Sequence, residues 1–281
     1  MDETDAESTV AALADETRLS VLRVLAANQR ETPADPAVGF ADLRRTVGFE
    51  DSGNFSYHLD KLLGQYVHKT AEGYCLTHAG QSVASAVQSG VLASEEPRAV
   101  ETGYECPVCA SPIVARGTTG GVAFTCDDGH GLQELGIPPS ALDRGVDVVL
   151  RQASRKVLYQ LTSVADDTCP ECVGDFQWTT VSLPDEIRES AGRAVLRAGC
   201  RRCGIVYSSP VEVWVLVDEA VRRRLRSAGI VVADHPPWEF PSLASDTERI
   251  DGEPSRYRIT FVGDESVTVE LDETATVTAI E

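Results

Sequence analysis

Residues 40–77, FADLRRTVGFEDSGNFSYHLDKLLGQYVHKTAEGYCLT, decide how the N-terminal third of the chain is built. FADLRRTVG (40–48) reads as a short helix closed by Gly48. Ser52 is placed to cap the next helix, GNFSYHLDKLLGQ, in which Phe55, Leu59, Leu62 and Leu63 share one apolar face. YVHKTAEGYCLT reads as two short strands around an Ala-Glu-Gly turn. Upstream, residues 8–28 carry apolar positions at helical spacing, and Asp15 splits them into two helices as an N-cap. Pro33, Pro36 and Gly39 mark a loop. Downstream, HAGQSVASAVQSG (78–90) reads as a closing helix.

That order of helix, short helix, tight turn, helix, hairpin and helix predicts a winged helix-turn-helix over residues 1–92, the first part of an α+β chain. With Phe55, Leu59 and Leu62 turned to the core, Gly53, Asn54, Ser56, Tyr57 and Lys61 are left for a DNA groove. An Asn amide can pair bidentately with adenine. Ser56 and Tyr57 can donate to bases or phosphates. Gly53 lets the backbone approach closely, and Arg44, Arg45 and Lys69 suit phosphates. The bland alternative is a solvated polar face. His58 reads as a packed residue. Cys75 reads as a small core residue, with a redox thiol as the alternative.

ALADETRLSVLRVLA (12–26) and FSYHLDKLLGQYV (55–67) resemble the ArsR family of winged-helix repressors, which typically show an LADxTRLxIL start and an S-x-H-L-x-x-L recognition helix. The matching residues are Leu13, Ala14, Asp15, Thr17, Arg18 and Leu19, then Ser56, Tyr57, His58, Leu59 and Leu62. The resemblance covers about the first 90 residues. It implies a homodimer built from the terminal helices, here around 8–14 and 78–90, with the 52–64 helix in the major groove. The Cys-Val-Cys pair of the family's metal sensors is missing, so arsenic or cadmium sensing there is not expected. The rest of the chain resembles the zinc-ribbon-bearing extension of haloarchaeal regulators of this kind.

Charge points to the same setting. The 281 residues carry 44 acidic and 25 basic side chains, a net −19, and only three of the bases are lysines, Lys61, Lys69 and Lys156. An acidic, lysine-poor, arginine-retaining surface is what halophiles show. At about 1 M salt the Debye length is only ~3 Å, so repulsion along such a surface is screened. An ordinary acidic protein that avoids nucleic acid is the alternative. Yet the window 40–70 is neutral: Asp42, Glu50, Asp51 and Asp60 face Arg44, Arg45, Lys61 and Lys69.

Seven of the eight cysteines form a pattern with one histidine. Cys106-x2-Cys109 is followed after 16 residues by Cys126-x3-His130. Cys169-x2-Cys172 is followed after 27 residues by Cys200-x2-Cys203. Each set supplies the four N/S ligands of structural zinc, giving two zinc ions per chain. Between the first pairs, PIVARGTTGGVAFT reads as a ribbon hairpin. FQWTTVSL and RAVLRAGC read as the longer strands of a second ribbon. Arg201 and Arg202, inside the last knuckle, can offset the charge of a four-thiolate site. Disulfides are disfavoured in an intracellular chain. Iron remains an alternative in the all-cysteine site. His130 is the ligand most open to exchange, because CDDGH also reads as an acidic turn.

The domain reading is therefore a winged helix-turn-helix at 1–92, a linker at 93–104, a first zinc ribbon at 105–136, a helical connector at 137–168, a second ribbon at 169–208, and C-terminal helices and a strand meander at 209–281. Arg222, Arg223, Arg224 and Arg226 read as salt-bridging residues or as a second phosphate patch. HPPWEFP (235–241) reads as a packed turn or the lining of an effector pocket. No catalytic motif is evident, so an enzyme is not expected. No secretory signal or membrane span is expected either, which suggests a cytoplasmic protein. The function that emerges is a homodimeric, site-specific transcription regulator binding double-stranded DNA, with a possible protein or small-molecule effector. The alternative is a low-specificity nucleic-acid-binding adaptor whose ribbons recruit protein partners.

Overall fold

The computed structural model describes residues 3–92, 98–181, 194–250, 252 and 254–281. It is a mixed α/β chain in two compact units, residues 1–96 and 97–281. No helix among the described residues is long and apolar enough to cross a membrane.

In the first unit, α1 (Glu3–Ala11) and α2 (Glu16–Glu31) part at Asp15. Asp15 is extended, and its carboxylate accepts from the Arg18 backbone N–H at 3.0 Å, as an N-cap must. The third helix, α3 (Phe40–Val47), ends at Gly48, whose φ of 80° lets its N–H turn back to the Arg44 and Arg45 carbonyls. For α4 (Ser52–Asp60) the cap differs from the expectation. Asp51, not Ser52, caps it, accepting from Gly53 N–H at 2.8 Å and Asn54 N–H at 3.1 Å. Asp51 keeps extended backbone while Ser52 is already helical, so only the earlier side chain can reach those orphan donors.

Strands β1 (Val67–Lys69) and β2 (Tyr74–Leu76) pair antiparallel, and α5 (His78–Gln88) starts from a Thr77 cap. A Cβ on Gly80 would sit 2.0 Å from the Tyr66 carbonyl oxygen, so only glycine lets α5 pack this close. Leu22, Leu25, Leu43, Phe55, Leu59, Leu62 and Val67 meet in a single buried core.

The second unit holds three antiparallel sheets and the long helix α6 (Val146–Ala165). The first runs β3 (Ala99–Glu105), β4 (Pro112–Thr118), β5 (Gly121–Cys126), β6 (Gly131–Leu135) in sequence order. The second is β7 (Phe176–Val181), β8 (Val195–Cys200), β9 (Val206–Pro210). The third is β10 (Ala244–Ile250), β11 (Arg256–Val262), β12 (Ser266–Asp272), β13 (Val277–Ile280), the expected meander. Its inward face alternates as period-2 packing requires: Tyr257, Ile259 and Phe261 on β11, and Val267, Val269 and Leu271 on β12. Short helices α7 (Val211–Trp214) and α8 (Glu219–Ser227) carry the chain to it.

Three expectations are adjusted here. Residues 99–104, read as linker, belong to β3, because Ala99, Val100 and Glu101 pair with Arg116, Ala115 and Val114. The rest of that linker, 93–97, lies outside the described residues, as do 182–183 and 193 at the ends of the second ribbon's strands. Residues 210–228, whose sequence reads as helical, are interrupted: Asp218 breaks the helical run and caps α8 through the Val221 N–H. Finally, α6 is no mere connector. Val149, Ala153, Val157, Leu161 and Val164 are buried in one core that runs from Cys106 to Ala275 and includes all three sheets. The segments read as separate ribbons and meander thus share one interior.

Candidate metal centres and the exposed face of α4

Three Cys-x2-Cys turns are built to one plan. In each, the first cysteine's N–H donates to the carbonyl five residues on, and the N–H four residues on donates back to the cysteine carbonyl. The pairs are Cys106 to Ser111 and Ala110 to Cys106, Cys169 to Gly174 and Val173 to Cys169, and Cys200 to Ile205 and Gly204 to Cys200, at 2.8–3.1 Å. Closing this loop needs positive φ at the returning residue. The values are 59° at Ala110, 59° at Val173 and 77° at Gly204. Sequence reading missed the first two, since a left-handed Ala or Val carries no local signal.

The turns bring the ligands together. Cys106, Cys109, Cys126 and His130 form one cluster and Cys169, Cys172, Cys200 and Cys203 the other, with ligand atoms in each within 4.8 Å of one another. In the first, Cys109 Sγ is 3.6 Å from Cys126 Sγ, and His130 Nδ1 is 3.3 Å from Cys126 Sγ and 3.8 Å from Cys106 Sγ. In the second, Cys169–Cys203 and Cys172–Cys200 sulfur separations are 3.8 and 3.5 Å. Four thiolates ~2.3 Å from a central ion at tetrahedral angles lie ~3.8 Å apart, whereas a disulfide closes to ~2.0 Å. All eight cysteines are free thiols. Both clusters can therefore hold a metal ion.

The electrostatics of the second cluster are uneven. The backbone N–H groups of Cys203 and Arg202 hold the Cys200 thiol down at about 6, while burial and the Cys203 thiol push Cys172 up to about 12. The Arg202 N–H lies 3.4 Å from Cys200 Sγ, and its guanidinium donates to the Cys172 carbonyl at 3.0 Å. Arg201 turns away to Asp175 at 3.3 Å. Only Arg202 of the two expected charge-balancing arginines bonds to the cluster. A Cβ on Gly174 would lie 3.1 and 3.3 Å from the Cys200 and Cys172 sulfurs and 2.7 Å from Arg202 Cβ, so the knuckle closes only around a glycine.

The helix α4 stops at Asp60, short of the expected end at residue 64, with Lys61 as its C-cap. Phe55 and Leu59 on it and Leu62 in the turn after it are buried as expected, leaving Gly53, Asn54, Tyr57 and Lys61 exposed and Ser56 half-buried. Lys61 Nζ lies over the Tyr57 ring at 5.5 Å, and the exposed Lys69 lies over Tyr74 at 5.6 Å. Arg45 pairs with Asp42 and remains exposed. Arg44 is placed differently from a free phosphate ligand: its guanidinium donates to the Phe49 carbonyl at 3.0 Å and to that of Glu50, fixing the turn into α4. Hydrogen bonds from Asn54 and Gly53 hold the Asp51 carboxyl below its ordinary value, so an anion sits at the entry of α4.

Elsewhere, Cys75 is buried, and burial raises its thiol pKa. Arg223 pairs with Glu219 and Arg224 with Glu265, so that run makes salt bridges. Trp238 packs on Phe124 at 5.0 Å and Phe240 is fully buried, the packed turn.

Comparison with known families follows the division into two units. Residues 103–277, more than half of the chain, match the family described as Domain of unknown function (DUF7351), and the chain belongs to that family. Residues 6–87 match a second, Domain of unknown function (DUF7347). No curated protein and no solved structure matches the chain.

Proposed function

We propose that the chain is a site-specific, DNA-binding transcription regulator that acts as a homodimer, with a winged helix-turn-helix first unit and a second unit built on two structural zinc sites. The observation that carries this reading is α4: its apolar side is sealed into the core while Gly53, Asn54, Tyr57 and Lys61 stand out together. Tyr57 leaves 56% of its surface exposed, unusual for an aromatic with no partner to meet. A helix so presented after a tight turn suits the major groove, and the β1–β2 hairpin beside it suits a wing. Val10 on α1 and Leu92 just after α5 are largely exposed, which supports pairing through the terminal helices.

Zinc fits the clusters best. Thiolate and imidazole at tetrahedral separations are its preferred donors, and four protein ligands leave no open position for catalysis. The sites then serve the fold.

The test is selection of bound fragments from genomic DNA with the full-length protein, followed by footprinting. A defined palindromic site is expected. Asn54→Ala with Tyr57→Ala should weaken its binding at least 100-fold while the far-UV spectrum and the dimer persist. Uniform coverage without a site would favour the low-specificity adaptor. Wild-type affinity in the double variant would remove α4 from recognition.

A further inference from the structure

A groove of about 530 Å³ opens in the second unit between α6 and the segment Gly136–Arg144. That is the size of ordinary small-molecule sites, ~300–1,000 Å³. Three cations line it, Arg144 from the 3-10 turn Pro139–Arg144, and Arg155 and Lys156 from α6. No carboxylate lines it. In a chain of net −19 with three lysines in all, this convergence runs against the composition. Among the described residues none of the three cations is in an ion pair. The nearest acids in sequence are occupied elsewhere: Asp143 pairs with Arg98, and Asp147 lines a different cavity. The Lys156 side chain reaches across to Gly136, where a Cβ would lie 3.6 Å from Nζ, so the ammonium stands close to the opposite wall. The rest of the lining is mixed: Ile137 and Val148 supply an apolar surface, and Tyr159, 63% exposed, stands on α6 beside them.

We propose that this groove binds a small organic anion, with a carboxylate or phosphate head on an apolar body. The head neutralises like charges that otherwise repel across a concavity, and the body covers the apolar surface and stacks on Tyr159. A DNA duplex is the poorer fit, because it presents its phosphates on a convex surface. Since the cations come from two elements, a bound anion ties the turn to α6 and stabilises the second unit by mass action. The site goes beyond the DNA-binding reading and does not rest on it.

The test is a fluorescence titration of the full-length protein with 8-anilinonaphthalene-1-sulfonate, at the lowest KCl that keeps the folded spectrum. One saturable site per chain is expected. Arg155→Gln with Lys156→Gln should weaken it at least tenfold, and Arg144→Glu at least threefold, with unchanged melting temperatures. The uncharged N-phenyl-1-naphthylamine should bind at least tenfold more weakly. Phenyl phosphate or benzoate should displace the dye, and the better competitor names the head group. Absence of saturable binding, unchanged affinity in both variants, equal binding of the neutral dye, or failure of both competitors would overturn the proposal. So would displacement by a short duplex, which would make the groove a nucleic-acid contact.

Discussion

His58 Nδ1 on α4 lies 3.3 Å from Asp15 Oδ1, the carboxylate oxygen that caps α2. The same oxygen is 3.7 Å from Arg18 Nε. The two motifs of the N-terminal unit, LADETR and SYHL, thus meet at one carboxylate. His58 and Arg18 are nearly buried, and Phe49 packs edge-on against the imidazole at 5.6 Å. Asp15 starts one helix and faces a histidine of the other, so the residue pattern of the motif reports a contact as well as a cap.

Asp15→Ala should cost about 1 kcal/mol for the lost cap alone. Because the carboxylate also faces His58, a double-mutant cycle with His58→Ala should show a coupling of about 0.5 kcal/mol or more. Urea unfolding of the four proteins measures it. Strict additivity would reduce Asp15 to a cap.

Salt response should be unusual. Arg44 is committed to the turn carbonyls, Arg45 to Asp42, and Asp51 places a charge at the entry of α4. In the proposed DNA complex few cations are free and counterion release is small, so the slope of log K against log salt should be shallow and binding should persist above ~1 M KCl. Asp51→Asn keeps an N-capping side chain and removes the repulsion. It should tighten binding about threefold at low salt and not at high salt. A steep salt slope in folded wild-type protein would contradict this picture.

Metal analysis should find about two zinc ions per chain in protein purified without chelator. Cys200→Ser should lose one equivalent and destabilise the whole of residues 97–281, because Cys106, Cys126, Cys169 and Cys200 belong to one core. The first unit should stay folded, since its core contains none of the ligands. A content near one would point to His130 as a ligand wrongly included.

Val173 occupies the left-handed region at φ 59° with 77% of its surface exposed. It has little packing to lose and a β-branched strain to relieve. Val173→Gly should therefore stabilise the second unit by about 1 kcal/mol. Gly174→Ala, next to it, should act oppositely, pushing into the sulfurs and lowering zinc affinity of the second site at least tenfold. Equal effects from the two variants in calorimetry and zinc competition would undo the argument.

Burial raises the Cys75 thiol. A group whose folded pKa is raised contributes stability that is complete below its unfolded value, ~8.5, and is lost as pH rises through the folded value. Wild-type protein should thus lose more stability than Cys75→Val between pH 8.5 and 10.5. Parallel melting curves across that range would show that Cys75 does not titrate there.

Much of this chain was determined by sequence alone, because the information is local. The split at Asp15, the Gly48 stop, the apolar face of α4, the hairpin and the meander all follow from hydrogen bonds and burial periodicities that span a few residues. The two ligand sets were legible too, since a Cys-x2-Cys turn needs only its own backbone and the count of four closes each shell. What only the tertiary structure decided concerns contacts between segments far apart in the chain. Residues 99–105 are a strand because β4 offers them partners. The α6 helix joins a large shared core because β3 and the 3-10 turns Pro139–Arg144, Val215–Val217, Val232–Asp234 and Pro237–Leu243 pack against it, and periodicity shows its apolar face to exist but cannot assign it to a neighbour. Arg144, Arg155 and Lys156 are unremarkable in sequence and form a site only where a turn folds against a helix. Burial and convergence depend on which surfaces meet, and local spacing does not carry that.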